Sequence, residues 1–189
     1  MFYYGFIVLC VVALSLVGTF AIAPTCGLAW WYFPVFVVVS VLAVILLDAI
    51  FAVVSRWILP KKWFDLPKKG FSAGKKEQRF YEKIGIKKWK DRIPELGGLT
   101  SVRKNKILDP KNNEYVLQYI MEANYGVVVH LTGMIFGFLI VFINLKFWYI
   151  IGLPIGIINL VYNWLSFAIL RYNLPKLHTL YKYNLRKVQ

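Results

Sequence analysis

Four apolar runs constrain what this chain can fold into more than any other feature. Residues 2–23 carry no charged side chain, and residues 33–55 carry one, Asp48. Two further runs lie at about 127–143 and 147–170. At about 1.5 Å of rise per residue, runs of this order match the ~30 Å hydrocarbon layer of a bilayer. A backbone in hydrocarbon must satisfy its own hydrogen bonds, so each run is expected to be a helix. Hydrophobic residues make up 59% of the 189 positions, whereas a soluble domain carries roughly 45–50%. A soluble chain of this length could not bury that surface. The expected fold class is an all-α integral membrane protein, a single domain over residues 1–189. It has four transmembrane helices (about 2–23, 33–55, 127–143 and 147–170), a partly interfacial helical segment at 56–126, and a tail at 171–189.

The formal charge of +14 has a location. Of 23 Lys and Arg residues, 17 lie within 56–111, five within 171–187, and one is Lys146. The turn at 24–32 has none. The positive-inside rule therefore puts the 56–126 segment, the tail and both termini on the cytoplasmic face of a multi-pass cell-membrane protein. Ala21-Ile22-Ala23 resembles a signal-cleavage site, but residues 1–5 lack Lys and Arg and Pro24 follows directly, so the run reads as a span. Trp30, Trp31 and Tyr32 read as an aromatic belt at the interface. Cys10 and Cys26 have no metal-ligand spacing and the two histidines are not clustered, so neither a metal nor a resident cofactor is expected.

Pro60, Pro67, Gly70, Gly74, Pro94, Gly97, Gly98 and Pro110 break the basic segment into short pieces. One, Lys75–Lys83, is expected to be helical. Another, 86–93, puts Ile86, Trp89 and Ile93 on one face among Lys87, Lys88, Lys90 and Arg92, the pattern of a helix lying apolar side down in the interface. The plainer reading of the run is topology plus attraction to anionic lipid. Nucleic-acid binding is not expected of a run tethered to the bilayer that fits no recognition module.

A titratable group at membrane depth costs at least ~2.5–3.5 kcal/mol, so each one needs a reason. Asp48 could pair with a lysine of the basic segment. Glu122 and His130 stand at i and i+8 on one helix, with Gly126 leaving a gap between them. Imidazole suits proton abstraction from an alcohol near neutral pH; the bland alternative is a histidine that fixes helix packing. Asn159, Asn163 and Ser166 share one face of the fourth span, which must turn inward. They are interhelical glue, or Asn163 is an amide donor toward charge developing on oxygen. At the end of that span Arg171 could clamp phosphate or simply flank the membrane, and Pro175 is expected to turn the chain along the surface. His178 lies in the tail and reads as interfacial.

Three blocks in order are similar to the glycosyl-4,4'-diaponeurosporenoate acyltransferase family. They are Lys88-Trp89-Lys90-Asp91-Arg92-Ile93-Pro94, then Glu122 with His130, then Asn163 leading to Arg171-Tyr172-Asn173-Leu174-Pro175-Lys176-Leu177. The chain departs from the family pattern at Val127 and Leu131, where an acid and a Trp are frequent, and at Leu174 and Lys176, where Arg is frequent. The resemblance implies transfer of a fatty acyl group, with acyl-CoA as co-substrate, to a hydroxyl of a glycosylated lipid or carotenoid glycoside. His130 would act as base, Glu122 would orient it or bind the acceptor, and Asn163 would support the oxyanion. Lys88, Lys90, Arg92 and Arg171 would hold donor phosphates, Trp89 would seat that element, and Asp91, Tyr172 and Asn173 would complete substrate binding. The partners are the bilayer, an acyl donor and a lipid acceptor. A non-enzymatic lipid-binding or assembly subunit is the competing class. A transporter is ranked last, because the outer halves of the first two spans offer little beyond Ser15 and Thr19.

Overall fold

The structure, a computed structural model, describes residues 2–64, 70–93, 107, 109–143 and 145–188. The expected breaks at Pro67, Pro94, Gly97 and Gly98 lie outside the described residues. All regular structure among the described residues is helical: α1 (Phe2–Val17), α2 (Tyr32–Ile58), α3 (Lys75–Lys83), α4 (Ile86–Trp89), α5 (Asn113–Phe136) and α6 (Leu153–Val188), with short 3-10 and π turns between them. Four helical stretches are long and apolar enough to cross a membrane: Gly5–Ile22, Tyr32–Ile58, Asn113–Ile143 and Trp148–Lys187. The chain is an all-α, multi-pass membrane protein.

It divides into two compact units, Met1–Phe51 with Thr132–Asn163, and Ala52–Leu131 with Trp164–Gln189. In the first, Phe33, Val37 and Val44 recur along one face of α2 and pack with Ala23, Ile140, Phe147, Ile151 and Ile155. Phe33 is fully buried and meets the Phe147 ring edge-on, 5.2 Å between centroids, a favoured aromatic geometry. Leu42, Ile45 and Leu46 on α2 are exposed, as are Trp30 and Trp31 at its start. An apolar side chain facing outward costs nothing in lipid.

In the second unit α5 and α6 pair through a helical stripe. Val116, Ile120, Ala123 and Val127 stand at i, i+4, i+7 and i+11 and bury against Leu170, Leu174 and Leu177, as a 3.6-residue period dictates. Asn112 caps α5, its Oδ1 accepting from the backbone N–H of Glu114 at 3.0 Å and of Tyr115 at 3.1 Å, the usual role of Asn at that position. Asn184 near the end of α6 donates to the Pro110 carbonyl at 2.7 Å, which ties down the entry to α5.

Contrary to expectation, α6 runs straight through Pro175. Proline has no N–H, so the Arg171 carbonyl one turn earlier loses its helical donor. The Ala73 N–H donates to that carbonyl at 3.0 Å. The Arg171 side chain grips the same segment, a strap at 70–74 that leads into α3. Its Nε and Nη2 each donate to a Glu77 carboxylate oxygen at 2.6 Å, while Nη1 reaches the Gly70 carbonyl at 2.8 Å and Nη2 the Ser72 carbonyl at 3.3 Å. The helix continues because its missing bond is replaced and because Leu174 and Leu177, on either side of the proline, are both held in the core.

The strap and α3 thus lie on α6. The left-handed Gly85, φ 72°, is a conformation glycine adopts without penalty, and it turns the chain from α3 into α4. The 86–93 piece is shorter than expected as a helix, α4 being followed by a 3-10 turn at Lys90–Arg92. Its apolar face also differs from expectation. Ile86 is buried with Tyr81, Ala168 and Tyr172, with Trp89 packed alongside, because the protein itself offers an apolar surface there. Replacing Arg171 by Lys keeps the charge but loses the fork. The expected cost is about 1–3 kcal/mol of docking energy, read as faster tryptic cleavage within 75–83 in membranes.

Candidate functional site

The expected site residues fall into three groups. The first is on α5. The Glu122 carboxylate is ion-paired with Arg56 at the end of α2, with Arg56 Nη1 also 3.4 Å from Oε1. The Arg56 guanidinium lies 5.4 Å from the centre of the Tyr125 ring. Tyr125 in turn stacks on Phe64 at 3.9 Å, and the Phe64 carbonyl accepts from Asn124 Nδ2 at 2.9 Å. Glu122 therefore joins α5 to the end of α2 and to the turn after it. His130 is half-buried on the same helix. The gap expected at Gly126 is filled, since a Cβ there would meet Leu170 Cδ1 at 2.7 Å.

The second group gathers around Tyr172. Its hydroxyl donates to Glu82 Oε1 at 3.1 Å, and Lys87 Nζ bridges to the same carboxylate oxygen at 3.0 Å. Hydrogen bonding from Lys87 lowers the Glu82 pKa, and Glu82 in return raises that of Lys87. Lys176 Nζ sits 4.5 Å over the Tyr172 ring, and the positive charges of Lys90 and Lys87 each act on Lys176. Lys90 also lies 3.8 Å from Asp91. Lys88, Asp91 and Arg92 are exposed and Asn173 is half-buried. Trp89 Nε1 donates to the Ile84 carbonyl at 3.2 Å, which orients the ring. Arg171 belongs to the same surface, but its charge is met by Glu77.

The third group lies in the first unit. Asp48 is paired not with a lysine but with two amides, Asn163 Nδ2 donating to Oδ2 at 2.9 Å and Asn159 Nδ2 to Oδ1 at 3.4 Å. Asn163 Nδ2 also contacts the Asn159 carbonyl and Oδ1, both at 3.1 Å. Asn159 and Asn163 are buried, as is Ser166 of the second unit on the same face of α6. Asn163 belongs to the first unit, and Glu122 and His130 to the second.

The family model for glycosyl-4,4'-diaponeurosporenoate acyltransferase matches residues 60–183. The chain belongs to this family. It is accordingly an acyltransferase, of a family named for a glycosylated diaponeurosporenoate. The match takes in the strap, α3, α4, α5 and the Arg171–Leu177 block, and leaves Asp48 outside it. No curated protein and no solved structure matches the chain.

Sequence reasoning missed three members of this acyltransferase's polar groups: Glu77, Lys176 as a neighbour of Lys87 and Lys90, and Asn159 as a ligand of Asp48. For the last a signal was present, a lone acid in one apolar run and an amide stripe in another. For Glu77 there was none, because Arg171 could equally have faced water or lipid phosphate. The Arg171 hydrogen bonds, opposed by partial burial and helped by Tyr81, hold the Glu77 carboxyl below its usual value. Tyr81, whose hydroxyl donates to Glu77 at 2.6 Å, is pushed far up by burial and by that carboxylate. A depressed carboxyl stabilises the fold above its unfolded pKa, about 4.3, and that stability disappears as pH falls through the lowered folded value. The difference in thermal midpoint between wild type and Glu77→Gln should thus be constant from pH 7 to about 5 and shrink to nothing in stronger acid.

Proposed function

We propose that the chain transfers a fatty acyl group from acyl-CoA to a hydroxyl of a glycosylated lipid, at the membrane face that carries the basic segment. The distribution of 17 basic residues within 56–111 and five within 171–187 supports placing that face, and both termini, in the cytoplasm, where acyl-CoA is found.

The observation that carries the donor assignment is Lys176, seated over the Tyr172 ring with Lys90 and Lys87 near enough for their charges to act on it. Cations held close enough to repel are destabilising by themselves, and an anion bound among them converts the repulsion into affinity. The phosphates of CoA have that charge, with exposed Lys88 and Arg92 adding to the field. Arg171 is left out of the donor site, because releasing it would break the strap.

In the reaction, the acceptor hydroxyl oxygen attacks the thioester carbon. An ester C–O bond forms, the C–S bond breaks, and the hydroxyl proton leaves for the CoA thiolate. His130 is the residue proposed to take that proton and return it to sulfur. Glu122 serves by holding α5 through Arg56. No protein nucleophile is required, so neither Cys10 nor Cys26 has a part.

Purified protein reconstituted in phosphatidylglycerol vesicles with a glucosyl-diacylglycerol should form an ester from radiolabelled palmitoyl-CoA. His130→Ala should lower kcat by roughly 10²–10⁴-fold in protein that still folds, and full transfer by a folded His130→Ala protein would remove it from the mechanism. Lys90→Ala and Lys176→Ala should act differently, raising KM for palmitoyl-CoA with little effect on kcat, and less so at high salt, where wild type itself is screened.

A further inference from the structure

The 86–93 piece, whose pattern predicts a helix in the membrane interface, has its Ile86 covered by protein. The open face belongs to the helix before it. In α3, Tyr81 is buried, Glu77 is held by Arg171, and Glu82 is held by Lys87 and by the Tyr172 hydroxyl. Both acids of the helix therefore turn to the protein. Lys75, Lys76, Arg79 and Lys83 do not. All four are exposed, and among the described residues none of them has a carboxylate within ion-pair distance. Phe80 and Ile84 are exposed as well. They stand one turn apart, and the Ile84 N–H donates to the Phe80 carbonyl at 3.1 Å, so helical spacing holds across the pair.

The position of α3 on α6 gives these faces a direction. Its core cluster joins Ala168 and Trp164, inside the apolar run of α6, to Tyr172, just beyond the end of that run. The helix is thus docked where hydrocarbon gives way to headgroups. At about 100° per residue, Glu82 stands about 160° from both Phe80 and Ile84. Because Glu82 reaches Tyr172, beyond the apolar run, the opposite flank with Phe80 and Ile84 faces back along α6 toward the hydrocarbon. The four cations stand about 120–160° from the buried Tyr81, on the side away from α6.

An apolar flank toward the hydrocarbon and an acid-free cationic side at headgroup level match the surface of an anionic leaflet. A soluble acidic partner would complement the cations and give the apolar flank no reason to lie at this depth. We infer that the outer face of α3 is a binding surface for anionic phospholipid. Phe80 and Ile84 enter the boundary between headgroups and acyl chains, and Lys75, Lys76, Arg79 and Lys83 meet lipid phosphates. The bonds of Arg171 to Glu77 and of Tyr172 to Glu82 set the height of the helix. This surface does not rest on the acyl-transfer reading.

The test uses the full chain in nanodiscs of phosphatidylcholine mixed with phosphatidylglycerol. With Cys10→Ser and Cys26→Ser in place, a spin label is attached at Phe80→Cys or at Arg79→Cys, and its collisions with oxygen and with a water-soluble nickel chelate are measured. The label at 80 should meet mainly oxygen and the label at 79 mainly nickel. Native mass spectrometry of chain released from the same nanodiscs should show phosphatidylglycerol retained in preference to phosphatidylcholine. Combining Lys75→Gln, Lys76→Gln, Arg79→Gln and Lys83→Gln should reduce that preference at least about tenfold, and high salt should weaken it in the wild type. Should the fourfold variant fail to fold, the labelled chains and the salt series still decide. Equal nickel access at 80 and 79, a preference that salt leaves unchanged, or one that survives in the fourfold variant would overturn the lipid surface. So would shielding of the label at 80 that appears only on adding a soluble acidic protein, with acyl-carrier protein as the probe, which would give the face to a protein partner.

Discussion

Proline at position 175 removes one hydrogen bond from α6, and the second unit is organised around the carbonyl it frees. That carbonyl belongs to Arg171 and takes the Ala73 N–H, while the Arg171 side chain forks onto Glu77 and reaches two further carbonyls of the strap. One residue thus joins the strap through both its backbone and its side chain. Tyr172, the next residue, binds Glu82 and buries its ring with Ile86, so α3 and α4 are positioned by the same short stretch. The lysines around Tyr172 owe their closeness to this docking.

The two units handle charge in different ways. Around Arg171 a guanidinium faces a carboxylate with bidentate geometry, in which charge-assisted bonds offset the desolvation of partial burial. Around Asp48 a carboxylate is held by neutral amides, an arrangement that orients the charge without cancelling it. The first is suited to fixing a segment in place. The second joins α2 to α6 within the first unit through hydrogen bonds alone.

Much of this was legible beforehand, and the exceptions have physical causes. Apolar runs far longer than a strand can only be helices in hydrocarbon, and the inward stripe Asn159, Asn163, Ser166 follows from helical period alone. The helix at Lys75–Lys83 could be read from its flanking glycines. The 86–93 face was read as lipid-facing because an apolar stripe does not say whether lipid or protein covers it. The turn expected at Pro175 assumed that no outside donor would replace the lost bond. The gap expected at Gly126 assumed that nothing on a neighbouring helix would fill it, whereas Leu170 does.

By itself the sequence determined the class of fold, the number of spans, the concentration of positive charge in two segments and the family, because each depends on local composition, period or motif order. Only the tertiary structure decided which polar groups meet. Arg171 with Glu77, Arg56 with Glu122 and Asp48 with Asn159 and Asn163 are separated by 66 to 115 positions. Charge and hydrogen-bonding capacity are written at each residue, but a partner so distant is selected by how the helices pack.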